Sequence, residues 1–298
     1  MNENIYIQLS RYAQPILIIF GTIGALLNQI LFHRRKLLRT ASCSLYFRVL
    51  SINDLLVLYI IVFTQWLNDQ FHIDPANHYL WYCKIRTYGT FCLYAISPYC
   101  IVLVCIDRFC RTSKSIRYRR IATPRIACQL IIVTILFIFL VYFHILFEYR
   151  IINWKCISLN LVYHHFLGYF LLVFYCLCPP ILMIIFSSWT LILLRRRQGI
   201  HLRIIVPRKR CYQRDYQLIK ILFLYVITNI ICTLPFAIIF LIQVYYYHSN
   251  DQSLTLIKCS VLLCNLNHCT NFYIYTLGTP VYRRELKHLI REYLLIMK

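Results

Sequence analysis

Acidic residues are the scarcest feature of this chain: ten Asp and Glu stand against 32 Lys and Arg in 298 residues. Charged residues of both signs make up only 14% of the chain, hydrophobic ones 60%, and the mean hydropathy is +0.62. So little charge excludes an ordinary water-soluble domain, which carries roughly 25% charged residues. Six glycines and nine prolines, scattered along the chain, exclude a low-complexity linker or a collagen-like segment. No C-x-x-C pair occurs, and His164 and His165 are neighbours that would point to different faces of a helix, so tetrahedral metal spacing is missing. No Asn-x-Ser/Thr sequence occurs either, and N-glycosylation is not expected. A net charge of +22 would suit nucleic acid, but a soluble nucleic-acid binder does not interleave its basic clusters with long, almost uncharged runs.

What is present is apolar sequence in lengths that match a bilayer. A hydrocarbon core about 30 Å thick needs about 20 mostly apolar helical residues. Such stretches lie near 13–33, 45–67, 84–109, 126–147, 162–194, 216–247 and 255–277. Most of the 15 cysteines, such as Cys92, Cys100, Cys176 and Cys264, fall inside these runs and read as small hydrophobes. The first run is too long for the apolar core of a cleavable signal, so it reads as a retained span. Residues 1–298 thus read as one domain of all-α membrane class, a seven-transmembrane helix bundle. Over 280–294 apolar residues and the basic Arg283, Arg284, Lys287 and Arg291 alternate at helical spacing, which predicts a short amphipathic eighth helix lying on the bilayer surface.

The connecting segments fix an orientation. Arg34, Arg35, Lys36 and Arg39 follow the first run, Arg111 to Arg125 supply six basic residues after the third, Arg195 to Arg214 eight after the fifth, and the tail adds five more. The alternate segments hold few basic residues and carry Glu3, Asp69, Asp74, Glu148 and Asp251. Positive segments stay cytoplasmic, which predicts a multi-pass protein with its amino terminus outside and its carboxyl terminus inside.

Several short patterns stand at meaningful places in this frame: Gly24 to Asn28, Leu50-Ser51-Ile52-Asn53-Asp54-Leu55, Trp81-Tyr82-Cys83, Asp107-Arg108-Phe109, Pro235, and Asn271-Phe272-Tyr273-Ile274-Tyr275. Cys83 precedes Arg108 by 25 residues, about 37 Å along a helix, so they sit at opposite membrane faces. Together these residues resemble the rhodopsin-like (class A) G-protein-coupled receptors, over nearly the whole chain from Asn28 to Tyr282. The resemblance implies a receptor rather than an enzyme, at the plasma membrane, with an extracellular ligand and a heterotrimeric G protein as partners. It implies a disulfide between Cys83 and Cys156. It also implies a sodium ion at Asp54, with Ser97, Asn267 and Asn271 as ligands and neighbours and Asn28 close by; no other cofactor is expected. A coupling switch is implied at Asp107, Arg108 and Tyr275, with Asp215, 20 residues before Pro235, as the acid facing Arg108.

Departures from the family's pattern gather in its transmission core. Thr233 stands where a tryptophan is common, Asn229 where a phenylalanine is usual, Pro98 in place of an aliphatic residue and Phe272 in place of the seventh-span proline. The Asn-Phe-x-x-Tyr variant resembles invertebrate FMRFamide-type neuropeptide receptors, which makes a neuropeptide the expected ligand. A signalling-silent or decoy receptor is the alternative, and a transporter the next. A transporter would need internal repeats or several charged residues at the midplane, and Asp54 is the one acid deep in any run. Thr90, 18 residues before Arg108, replaces the aspartate that anchors amines, and Lys258 lies too far outward to hold retinal. The expected ligand cavity is lined by Thr90, Phe91, Tyr94, Phe236, Ile239, Phe240, Gln243 and Asn265, beneath outer acids that steer a small cationic or amidated peptide.

Overall fold

The computed structural model describes residues 2–34, 42–152, 154–158, 160–200, 207–246, 251–278, 283, 284, 286–288 and 291. Seven long helical spans account for most of them. Span one is Asn2–Arg34; span two runs Ser42–Leu56, through a π-helical stretch at Val57–Phe63, into Thr64–Phe71; span three is Leu80–Thr112. Span four, Pro124–Val141, ends in a tight turn at Tyr142–His144 and a last helical piece, Ile145–Glu148. Span five runs Leu161–Phe170, π-helical Leu171–Leu177, then Cys178–Ile200; span six is Pro207–Tyr246 and span seven Asp251–Gly278. The first six are long and apolar enough to cross a membrane by composition alone. Span seven is the polar one, carrying Asn265, Asn267, His268 and Asn271, and it packs along spans one and six. The expected eighth helix at 280–294 falls mostly outside the described residues.

Local chemistry sets the ends and irregularities of the rods. Thr123 caps span four by accepting the amide of Ile126, with Pro124 at the first helical position, and Asn160 caps span five by accepting the amides of Val162 and Tyr163. In span five, Pro179 and Pro180 lack amide hydrogens, so the backbone ladder before them slips and the Cys178 amide reaches Val173 O. In that slipped register Phe174 O would pair with residue 179, a proline. Instead it accepts the Tyr99 hydroxyl of span three at 2.8 Å. The two prolines therefore convert a helix irregularity into a link between spans.

Span one begins well before residue 13, the boundary that apolarity alone suggests. Tyr6, Ser10 and Gln14 recur at i, i+4, i+8 and are all buried, so one face continues inward although the segment is polar overall. Tyr6 donates to Asp69 at 2.7 Å and Gln14 to the same oxygen at 3.3 Å. Span four turns the opposite way: Val133, Leu136 and Leu140 are exposed, as a face solvated by lipid tails should be.

Close approach of spans one and seven depends on glycine. A Cβ placed on Gly24 would lie 2.9 Å from Cβ of Phe272. Phe272 occupies the seventh-span position where the family's pattern has a proline, and its bulk is accommodated by a residue with no side chain. Gly24→Leu is expected to push the two spans apart and lower the thermal unfolding midpoint by several degrees, since overpacking costs about 1–3 kcal/mol. A midpoint equal to wild type in a dye-based unfolding assay would count against this packing.

Candidate functional site

Asp54 sits halfway along span two, where a carboxylate needs partners from the neighbouring spans. It is 3% exposed. Asn271 Nδ2 lies 3.0 Å from each carboxylate oxygen, His268 Nδ1 lies 2.9 Å from Oδ1, and the Ser97 hydroxyl donates to Oδ1 at 3.4 Å. Ser97 is itself held by Asn53, whose Nδ2 donates to Ser97 Oγ at 2.8 Å and to Leu93 O at 2.9 Å. Spans two, three and seven therefore meet at one carboxylate. Of the residues expected here, Ser97 and Asn271 touch Asp54 directly. Asn267 turns toward span six and donates to Asn229 Oδ1 at 3.2 Å. Asn28 is buried, but its Oδ1 has no hydrogen-bond partner.

The groups around Asp54 are a poor fit to the sodium ion that the resemblance implies. A hard cation needs oxygens turned toward it. Here two nitrogens, His268 Nδ1 and Asn271 Nδ2, hold the carboxylate oxygens that a cation would need, and only the Ser97 hydroxyl among these partners offers an oxygen. His268 was missed as a member of this site. An imidazole inside a membrane span, three residues before Asn271 on the same helix face, is the signal that would have found it.

Toward the Cys83 end, Tyr94 links this centre to the expected ligand cavity. Its ring stacks on His268 at 5.6 Å, and its hydroxyl donates to Asn265 Oδ1 at 2.7 Å. Asn265 Nδ2 is buried without a partner. Thr90 spends its hydroxyl on Arg86 O. Phe91 stacks against Tyr142 of span four, and Phe236 lies beside Phe240. Ile239 and Gln243 are half-buried along the same stretch of span six.

Above this region, Arg150–Ile152 and Lys155–Ile157 form an antiparallel hairpin with Ile151 opposite Cys156. Cys156 is bonded to Cys83 at the start of span three. The Cys156 amide also donates to Asn77 Oδ1 at 3.3 Å. Two acids expected to steer ligands are instead engaged within the protein. Asp74 accepts Arg86 Nη1 on both oxygens at 2.9 Å, and Asp69 accepts Tyr6 and Gln14. Asp69 meets the buried Tyr6 and Gln14 and Asp74 the half-buried Arg86, so each serves to fasten helix ends. Glu148 is half-buried, and the side chain of Asp251 lies outside the described residues.

At the opposite end, Asp107 is buried and bound to span two. It accepts Ser42 Oγ at 2.6 Å and Cys43 Sγ at 3.1 Å, and Arg111, one turn onward, reaches it at 3.0 Å. Arg108 also lies near Cys43. The side chains of Asp215 and Tyr275 are outside the described residues.

Seven packed spans, a disulfide from span three to the following hairpin and a buried polar centre define a seven-helix membrane receptor. Residues 25–275 match the family 7 transmembrane receptor (rhodopsin family), and the chain belongs to it. No individual curated protein matches the chain.

Proposed function

We propose that this chain is a plasma-membrane receptor that senses a small extracellular peptide and activates a heterotrimeric G protein. In this reading its amino terminus is outside, and Asp107, Arg108, Asp215 and Tyr275 form the switch at the cytoplasmic face. The observation that carries the peptide reading is the Tyr94–Asn265 pair among the expected ligand residues. Tyr94 fixes Asn265 by its carbonyl oxygen and so leaves Asn265 Nδ2 as a buried donor with no acceptor. Such a group favours a ligand that brings a carbonyl, as every peptide does, over one that brings only an ammonium. Thr90, uncharged and already bonded to the backbone, offers an amine no counter-ion. The resemblance to FMRFamide-type neuropeptide receptors points the same way.

The test is a screen of amidated peptides against cells expressing the chain with a promiscuous G protein, read as calcium release. A responding peptide is expected to lose about 5- to 10-fold in potency on Asn265→Ala, the value of one hydrogen bond of about 1 kcal/mol. Thr90→Val should change it little. Peptide binding without a response would make the chain a silent receptor. A potency untouched by Asn265→Ala would remove that pair from the ligand site.

A further inference from the structure

We propose that His268 takes the place of an alkali cation at Asp54, so that the chain carries its own hydrogen-bonding partner for the buried carboxylate and the polar centre does not depend on sodium. His268 is a positioning residue in this scheme. Its Nδ1 holds Asp54 Oδ1 at 2.9 Å while its ring stacks on Tyr94 at 5.6 Å, with 24° between planes. The same side chain therefore joins the carboxylate to the Tyr94–Asn265 pair.

Three observations carry the exclusion of the ion. First, the His268 side chain is fully buried, so the imidazole is packed against the carboxylate with no exposure to solvent. Second, Asn271 presents its amide nitrogen to both carboxylate oxygens, so both oxygens act as acceptors and the Asn271 Oδ1 faces elsewhere. Third, the buried amide oxygens of Asn28, Asn53, Asn267 and Asn271 all lack partners. Oxygens that could ligate a cation are thus present on the surrounding spans, and the position against Asp54 Oδ1 is taken by His268 Nδ1 at 2.9 Å instead. The group that meets the carboxylate is the imidazole. Carried by a covalently attached side chain, it is always present, whereas an exchangeable ion is present only in proportion to its concentration.

This predicts that loss of the imidazole creates sodium sensitivity. His268→Ser leaves the Asp54 carboxylate, the Ser97 hydroxyl, the new serine hydroxyl and the unpartnered amide oxygen of Asn271, whose Nδ2 already touches Asp54, a ligand set suited to a hard cation. The experiment is thermal unfolding of the purified full chain in sodium chloride against choline chloride at about 0.15 M ionic strength. The wild-type midpoint is expected to be the same in both salts, and His268→Ser is expected to unfold about 2–4 °C higher in sodium. Asp54→Asn added to His268→Ser should abolish that difference. Sodium-specific stabilisation of the wild type overturns the proposal, and this arm stands even if the variant fails to fold. A His268→Ser protein that folds but ignores sodium overturns it as well. The assay contains neither ligand nor G protein, so its failure leaves the peptide-receptor reading untouched.

Discussion

Replacing Cys156 by serine is expected to remove most of the receptor from the cell surface and to abolish any response of the remainder. The bond it makes to Cys83 closes a loop with a sequence separation of 73 residues. In the chain-entropy picture such a loop contributes about 4 kcal/mol. That figure is an upper limit, because spans three and four, once inserted, already hold the ends of the loop near the same membrane face. The larger consequence is local. Arg150–Ile152 and Lys155–Ile157 form a two-stranded ladder, too small to be stable alone, and the disulfide together with the Asn77 contact pins it over span three. Without the bond the hairpin loses its attachment to the start of span three. Cys83→Ser should reproduce the defect, and the double variant should be no worse than either single one. Surface labelling of an epitope-tagged chain measures this directly; wild-type surface density in Cys156→Ser would dismiss the bond as a structural requirement.

The altered residues of the transmission core are not simply losses. Thr233 replaces a bulky aromatic, and the space is used by hydrogen bonding within and between helices. Its hydroxyl donates to Asn229 O at 2.8 Å, its own carbonyl accepts Cys176 Sγ of span five at 3.4 Å, and Asn229 Oδ1 accepts Asn267 of span seven. Phe272 is matched by Gly24. Pro98, in span three, removes the amide that would pair with Tyr94 O, at the residue where the Asn265 contact and the polar centre join. Spans five, six and seven are thus coupled through polar side chains where the family's usual pattern uses an aromatic switch. Such contacts are directional, and a relative shift of span six breaks them in a discrete step.

The architecture was legible because lipid imposes it. Run length, alternation of basic segments and the Cys83-to-Arg108 spacing are all consequences of a slab about 30 Å thick. Asp54 declared itself as a lone acid in an apolar run. Composition could not show which polar groups face one another. Span one looked neutral before residue 13, so the buried Tyr6, Ser10 and Gln14 stripe went unread. Asp69 and Asp74 looked like free steering charges because their partners, Tyr6 and Arg86, are distant in sequence or assigned to another span. Asn267 and Asn271 are one turn apart, and only the rotation of span seven decides that Asn271 meets Asp54 while Asn267 meets Asn229. His268 lay between them and was passed over, although its ring is the group that closes the site.

Asp54→Ala is expected to be the most damaging single change in the membrane interior. It removes the one acceptor for His268 Nδ1 and Asn271 Nδ2 and the partner of the Ser97 hydroxyl, at a place where water cannot replace it. Removing the shared acceptor of three buried donors in this way costs about 3–5 kcal/mol, against a total stability of about 5–15 kcal/mol for a folded domain. The unfolding midpoint should fall by about 10 °C, taking about 2–4 °C per kcal/mol for a chain of this size. Asp54→Asn keeps one acceptor oxygen and should lose roughly half as much. Receptor signalling should fail in Asp54→Ala even where protein reaches the surface, because spans two, three and seven no longer share an anchor and His268 no longer holds Tyr94 in register with the core. A midpoint within a degree of wild type would mean that the donors find other acceptors among the orphaned amide oxygens of Asn28, Asn53, Asn267 and Asn271. In that case the carboxylate does not organise the bundle, and the link from the Tyr94–Asn265 pair to the polar centre would have to run through the Thr233 and Asn229 contacts of span six.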